Sequence, residues 1–305
     1  KLSIAYCSIL VPDLRNIKLK NKKLYLSTDA LKEMKLFDTN IMKYFYNFSF
    51  DLKIVNIEDM NNDFSNINDL HVTLDLYDPE LEDKKDQDLN FFKELDLPFN
   101  NLSGINYLEL VIPNYYIFKN NTFSVDNIKI VKLSLNSDVY NINLKNVNSF
   151  HLDRAFSLKT IIFDQHLQKL DLNKPNTDII QSLNSEFLEE LSITSAYFDQ
   201  EIEFNKKFPN LKTLILDFSL FKSNYDFKTL YGNYKSFSIN YCKTYFNDFS
   251  GFKCLKDLFV VGNHYIENIK GFNGKNLYLD SCSNLKTFNF QNLNHLYLCN
   301  NSLIT

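Results

Sequence analysis

From Leu133 to the end of the chain, two large apolar residues flanking one outward residue recur at a nearly constant interval. The leading residue of each pair falls at Leu133, Phe150, Leu170, Leu191, Leu214, Phe237, Leu258, Leu277 and Leu296, at steps of 17, 20, 21, 23, 23, 21, 19 and 19. Alternation of this kind is the signature of a short strand with one buried face. An interval near twenty residues leaves room for that strand, a corner and a return segment. No such unit can bury its own apolar side, but a stack can, because the inward residues of successive units then form one continuous core. Each fully buried Leu contributes about 1.5–3 kcal/mol to that core. The pattern therefore predicts a solenoid with a parallel sheet on one side.

The last two units are the clearest. Leu277-Tyr278-Leu279-Asp280-Ser281-Cys282 and Leu296-Tyr297-Leu298-Cys299-Asn300-Asn301 place a Cys or Asn three positions beyond the second apolar residue. The segments beginning at Leu2 and Phe150 align on the unit at Leu277 without gaps. Because the chain opens on a strand, the expectation is a piece of a longer array. Before Leu133 the units are irregular: Leu24-Tyr25-Leu26, Leu52-Lys53-Ile54 and Leu74-Asp75-Leu76 have the spacing, and Thr28 to Phe37 has helical spacing. Leu95-Asp96-Leu97 and Leu108-Glu109-Leu110 lie too close together for both to be ladder strands. The mixed charge run from Asp78 to Asp88 predicts a solvated loop near 78–90. Asp178 and Gln181, ahead of Leu183 and Phe187, suggest a capped helix in one return segment. One domain over 1–305 is expected, irregular over 1–132 and regular over 133–305.

Leu255-Lys256-Asp257-Leu258-Phe259-Val260-Val261-Gly262-Asn263 and Leu293-Asn294-His295-Leu296-Tyr297-Leu298-Cys299-Asn300-Asn301 resemble the leucine-rich repeat pattern Leu-x-x-Leu-x-Leu-x-x-Asn/Cys. The segment from Asn263 to Phe272 resembles repeats of intracellular phosphatase regulators, and the irregular unit lengths resemble those of fungal F-box receptors. The resemblance implies an α/β solenoid: a leucine-rich repeat horseshoe with a parallel concave sheet and a mostly irregular, 3₁₀ or short helical convex side. It also implies a non-enzymatic scaffold that binds a protein partner on the concave surface. The alternatives are the substrate-reading part of an F-box ubiquitin ligase receptor, a phosphatase-regulator-like subunit, and a secreted or surface receptor.

Charge narrows the choice of partner. A net charge of -4 and only two arginines, Arg15 and Arg154, argue against a nucleic-acid or anionic-membrane surface. No apolar run approaches the roughly 18 residues of a membrane-spanning segment. The five cysteines, Cys7, Cys242, Cys254, Cys282 and Cys299, form no CxxC pair and no terminal cluster, which favours a reducing, intracellular home in cytoplasm or nucleus. The sequons at Asn47, Asn101, Asn120 and Asn300 are what an Asn-rich chain generates by chance. The histidines, His71, His151, His166, His264 and His295, show no metal-ligand spacing. No phosphate-binding loop or nucleophile motif occurs, so neither an enzyme nor a cofactor, metal or small-molecule substrate is expected.

The outward positions supply the candidate site. The middle column reads Ser134, His151, Asp171, Ser192, Ile215, Ser238, Phe259, Tyr278 and Tyr297, and it closes on three aromatics. Asp257, Asn276 and His295 flank it on one side; Val261, Asp280 and Cys299 flank it on the other. Rings among polar groups are typical anchors of protein interfaces. The partner-binding set is thus Phe259, Tyr278, Tyr297, Asp257, Asp280 and His295. A second column, Asn136, Asp153, Asn173, Thr194, Asp217 and Asn240, is polar and mildly acidic. Cys242, Asn263, Cys282 and Asn301 occupy the strand-end position, where a hydrogen-bonding side chain relieves the stranded backbone, and they are assigned a structural role.

Overall fold

The computed structural model describes residues 2–3, 23–27, 49–54, 69–75, 79–88, 93–95, 105–135, 139–288, 290 and 293–301. They fall into two compact units, Lys1–Asp153 with Ile162–Asp164, and Arg154–Ile161 with Gln165–Thr305. Each is a parallel β-solenoid with few helices. The expected helix over Thr28 to Phe37 lies outside the described residues.

In the second unit the ladder runs through the strands Lys169–Asn173, Glu190–Thr194, Thr213–Asp217, Ser236–Asn240, Asp257–Val261, Asn276–Asp280 and His295–Cys299, each hydrogen-bonded in parallel to the next. Leu170, Leu191, Leu214, Phe237, Leu258, Leu277 and Leu296 are paired in one row, as the interval in the sequence predicts. The inward residues of every strand but the last are buried. Behind them, aromatic rings from the return segments fill the interior: Phe198 stacks on Phe221 at 4.9 Å, Phe227 on Phe246 at 5.3 Å, and Phe252 lies 4.8 Å from Phe237. Rings cover the span that short return segments leave unfilled, so phenylalanine takes the place of helical packing.

The corner after each strand repeats as faithfully as the strand. Lys174, Ser195, Phe218, Tyr241, Gly262, Ser281 and Asn300 all take left-handed backbone conformations. An L residue there costs roughly 1–2 kcal/mol. A continued ladder bond offsets the cost: Ser195 N–H donates to the Asp217 carbonyl (2.8 Å), Tyr241 to Val261 (2.6 Å) and Ser281 to Cys299 (3.0 Å). The following residue turns inward and carries the structural column. Asn263 Oδ1 accepts the Cys242 N–H at 3.0 Å, while its Nδ2 donates to the carbonyls of Ile239 (2.5 Å) and Val261 (3.0 Å). Asn301 serves Cys282 N–H (2.9 Å) and the Leu279 carbonyl (3.0 Å) in the same way. The Cys242 thiol points to the carbonyls of Leu216 and Asn240, and that of Cys282 to those of Val260 and Asp280.

In the first unit the ladder strands are Leu2–Ser3, Lys23–Ser27, Ser49–Ile54, Asp69–Asp75, Ile105–Ile112, Ile130–Leu135 and Ser149–Asp153. Leu2 pairs with Leu24 as expected, but Leu24 pairs with Phe50 and Leu26 with Leu52, so the third unit starts two residues before the expected Leu52. The same offset affects Leu133. Its partner is Leu152, and Phe150 pairs with Val131, so the step into Phe150 is 150 − 131 = 19 rather than 17. Three apolar residues at alternate positions, Val131, Leu133 and Leu135, made either pair a legitimate reading of the sequence. Of the two crowded segments near residue 100, Ile105–Ile112 is the ladder strand, and Lys93–Leu95 pairs instead with Tyr116–Phe118 in a separate two-stranded sheet.

Two further expectations are corrected. The charged run is not a loop: Pro79–Gln87 is an α-helix, with Pro at its first position and Glu80 and Glu82 in the first turn, both favourable there, and with Leu81 buried. The helix in the return segment, Thr177–Ser182, is capped by Asn176, whose Oδ1 accepts the Ile179 N–H at 2.8 Å; Asp178 lies within its first turn.

Candidate functional site

The outward face of the second unit's ladder carries three columns. The middle one runs Asp171, Ser192, Ile215, Ser238, Phe259, Tyr278 and Tyr297. Strands about 4.8 Å apart bring side chains of one column within stacking distance. Phe259 and Tyr278 lie parallel, with centroids 4.4 Å apart and planes at 5°, and Tyr297 follows at 6.4 Å, tilted by 39°. Phe259 and Tyr278 are half-buried by their neighbours, whereas Tyr297, on the last described strand, is 52% exposed.

Both flanking columns present carboxylates to this stack. Asp257 pairs with Asn276, and Asn276 with His295; Asp257 Oδ1 accepts a hydrogen bond from Asn276 Nδ2 at 2.5 Å, and the Asn276 amide oxygen has no partner among the described residues. His295 is exposed at the end of that column. On the other side Val261, Asp280 and Cys299 are in register, and Asp280 Oδ1 accepts from Ser281 Oγ (2.9 Å) and Asn300 Nδ2 (3.1 Å). Among the described residues no lysine, arginine or histidine pairs with Asp257 or Asp280. Other acids of this unit do have such partners, as in Lys169–Glu190 (2.6 Å), Lys212–Glu189 (2.5 Å), Lys222–Glu201 (2.8 Å) and Lys286–Glu267 (3.1 Å). The Tyr297 phenol is held above its ordinary pKa, first by its hydrogen bond with the Cys299 side chain and further by Asp280.

The polar column is also in register, as Asn173, Thr194, Asp217 and Asn240. Asn240 Nδ2 donates to Asp217 Oδ1 (2.6 Å) and Ser238 Oγ (2.7 Å). Burial raises the Asp217 pKa, the Asn240 hydrogen bond opposes the rise, and Asp171 adds to it. Asp153 belongs to the first unit, where it pairs with Ser134; Asn136 lies outside the described residues. The corrected register moves Ser134 out of the middle column and puts Lys132 there, opposite His151.

Lys132 is the residue that sequence reading overlooked. Its ammonium lies 5.6 Å from the centroid of Tyr107, and Tyr107 Oη donates to Glu109 Oε2 at 3.0 Å, so ring, carboxylate and cation gather on the outward side of adjacent ladder strands. A step of 19 counted back from Phe150 would have placed it. A second overlooked group is the corner pair Phe218 and Tyr241, exposed by 57% and 48%, whose rings stack at 4.7 Å and 4°. They occupy the left-handed position, which the Leu-x-Leu rhythm does not mark.

The structural column offers no nucleophile. Burial pushes the Cys242 thiol up to about 12 and raises that of Cys282, so both stay protonated near neutrality. The described cysteines, Cys242, Cys254, Cys282 and Cys299, are free thiols. Among the described residues no three His, Cys, Asp or Glu side chains gather where they could hold a metal, and no helix is long and apolar enough to cross a membrane. A cavity of about 430 Å³ in the first unit lies against Asp126, Lys145 and Asp164. Its charged groups are already engaged: Lys145 pairs with Asp126 at 3.1 Å, and Asp164 accepts the Asn146 N–H at 2.8 Å. Compared with models of known protein families and with curated proteins, the chain matches none.

Proposed function

We propose that this chain is a leucine-rich-repeat scaffold of the irregular intracellular type, non-enzymatic, which takes a protein partner on the concave face of its ladder. The observation that carries this reading is the row Phe259, Tyr278 and Tyr297: stacked rings in register, open to solvent on one side and bordered by Asp257, Asp280 and His295. A ring already held by its neighbour loses little entropy on binding, and Tyr keeps a hydrogen bond for the partner, which is how interface hot spots work. The hydrogen-bonded column of Cys242, Asn263, Cys282 and Asn301 supports the leucine-rich repeat reading, because it uses the Asn/Cys position of that pattern as its structural seam. Free thiols at four cysteines support a reducing compartment.

The test is affinity capture from the native cell extract with the wild-type chain and a Tyr278→Ala/Tyr297→Ala variant of matched melting temperature. Loss of a specific captured protein in the variant is expected. Equal capture by both would remove the ladder face from the function.

A further inference from the structure

In the second unit rings stand beside carboxylates on the outward face, and a like pair occurs in the first unit. There, on adjacent ladder strands, Tyr107 holds a hydrogen bond to Glu109 while the Lys132 ammonium sits over the Tyr107 ring, 5.6 Å from its centroid. Chain residues supply all three parts. In the second unit Tyr278 lies on the same outward face as Asp280, two positions along its strand, and Phe259 stands likewise to Asp257. Outward residues two apart on a strand are roughly 7 Å apart, which lets a side chain crossing the ring edge reach the carboxylate. No cation of the chain comes to either carboxylate among the described residues, although lysines neutralise Glu189, Glu190, Glu201 and Glu267 elsewhere in the unit.

We propose that the row Phe259–Tyr278–Tyr297 binds an extended, positively charged segment of a partner protein, whose basic side chains cross the edges of the stacked rings to reach Asp257 and Asp280. This rests on the partner-binding reading above and specifies its chemistry. The carboxylates on either side supply charge-assisted hydrogen bonds, and the ring stack, its facing planes closed at 4.4 Å, offers its outward edges as an apolar surface for the methylene stem of a basic side chain. The charges of this unit's outward columns agree: among the described residues of those columns, Glu190, Asp217, Asp257 and Asp280 stand beside one lysine, Lys169, which is bonded to Glu190. A guanidinium suits the site better than an ammonium, because its planar fork bonds a carboxylate through two N–H groups.

The experiment uses the full chain and a fluorescent eight-residue Arg-Ser repeat peptide, with the same peptide carrying citrulline for arginine as the neutral control, read by fluorescence anisotropy. The Arg-Ser peptide should bind, the citrulline peptide should bind at least about tenfold more weakly, and added salt should weaken the first far more than the second. Asp257→Asn/Asp280→Asn, which keeps side-chain shape and the Asn276 contact, should also weaken Arg-Ser binding about tenfold without changing the melting temperature. Tyr297→Ala, at the outermost ring, provides a second variant that leaves the buried core untouched. Absence of binding by the Arg-Ser peptide, or equal binding by the Asp257→Asn/Asp280→Asn protein, would overturn the proposal. If the captured partner still depends on Tyr278 and Tyr297 in that case, the partner site stands and only its basic ligand is lost.

Discussion

Asn263 closes the corner of the turn before its own: its amide oxygen accepts the backbone N–H of Cys242, and its amide nitrogen returns two hydrogen bonds to backbone carbonyls on the strands of both turns. The side chain is fully buried, so water cannot replace any of the three. The left-handed residue before each such corner is tolerated because the ladder continues through it.

Asn263→Ala should therefore destabilise the chain by about 2–4 kcal/mol, the cost of leaving the buried Cys242 N–H unpaired and of taking one hydrogen bond from each of two carbonyls, of which Val261 keeps the Tyr241 N–H. Urea unfolding of the variant measures it. A loss under about 0.5 kcal/mol, the level of an ordinary surface change, would mean that the corner relaxes and that the column is not a structural seam.

The inward leucines are unequal, although the sequence makes them alike. Leu258 is 0% exposed and Leu296, on the last described strand, is 44% exposed. Leu258→Ala should cost about 2–5 kcal/mol by opening a cavity, whereas Leu296→Ala should cost about 1 kcal/mol or less. Equal shifts in unfolding midpoint would show that a further layer packs on Leu296.

Asp217 gives stability a pH dependence of known sign. Its folded pKa is raised above the ordinary 3.8, chiefly by burial, so the folded state holds the proton more tightly than the unfolded state does. Stability falls as pH rises from about 3.8 through the folded pKa, and above it the buried charge is a standing cost. Asp217→Asn, which keeps an oxygen for the Asn240 amide, should raise the melting temperature at pH 7 and leave it unchanged near pH 3. An unchanged or lowered melting temperature at pH 7 would mean that the Asn240 hydrogen bond outweighs desolvation.

Each of these outcomes depends on register, and register was legible where one apolar pair stood alone. From Leu170 to Leu296 a single Leu-x-Leu pair per unit admits one alignment, and the three aromatics, their flanking acids and the corner Asn and Cys positions all followed from it. At Val131, Leu133 and Leu135 three alternating apolar residues admit two alignments, and the choice cost Lys132 its place on the face. The helix at Pro79–Gln87 carries too little apolar surface to show a period, since Leu81 alone anchors its described core contact.

The sequence by itself determined the strand rhythm, the inward row and the candidate ring column, because a side-chain alternation of two is written directly in residue order. Only the tertiary structure decided which carboxylates lack a cation among the described residues, how tightly the Phe259 and Tyr278 rings stack, and that Phe218 and Tyr241 meet at the corner. Those facts are set between residues some twenty positions apart. Their distances depend on how one turn settles on the next, and no local preference of the chain encodes that.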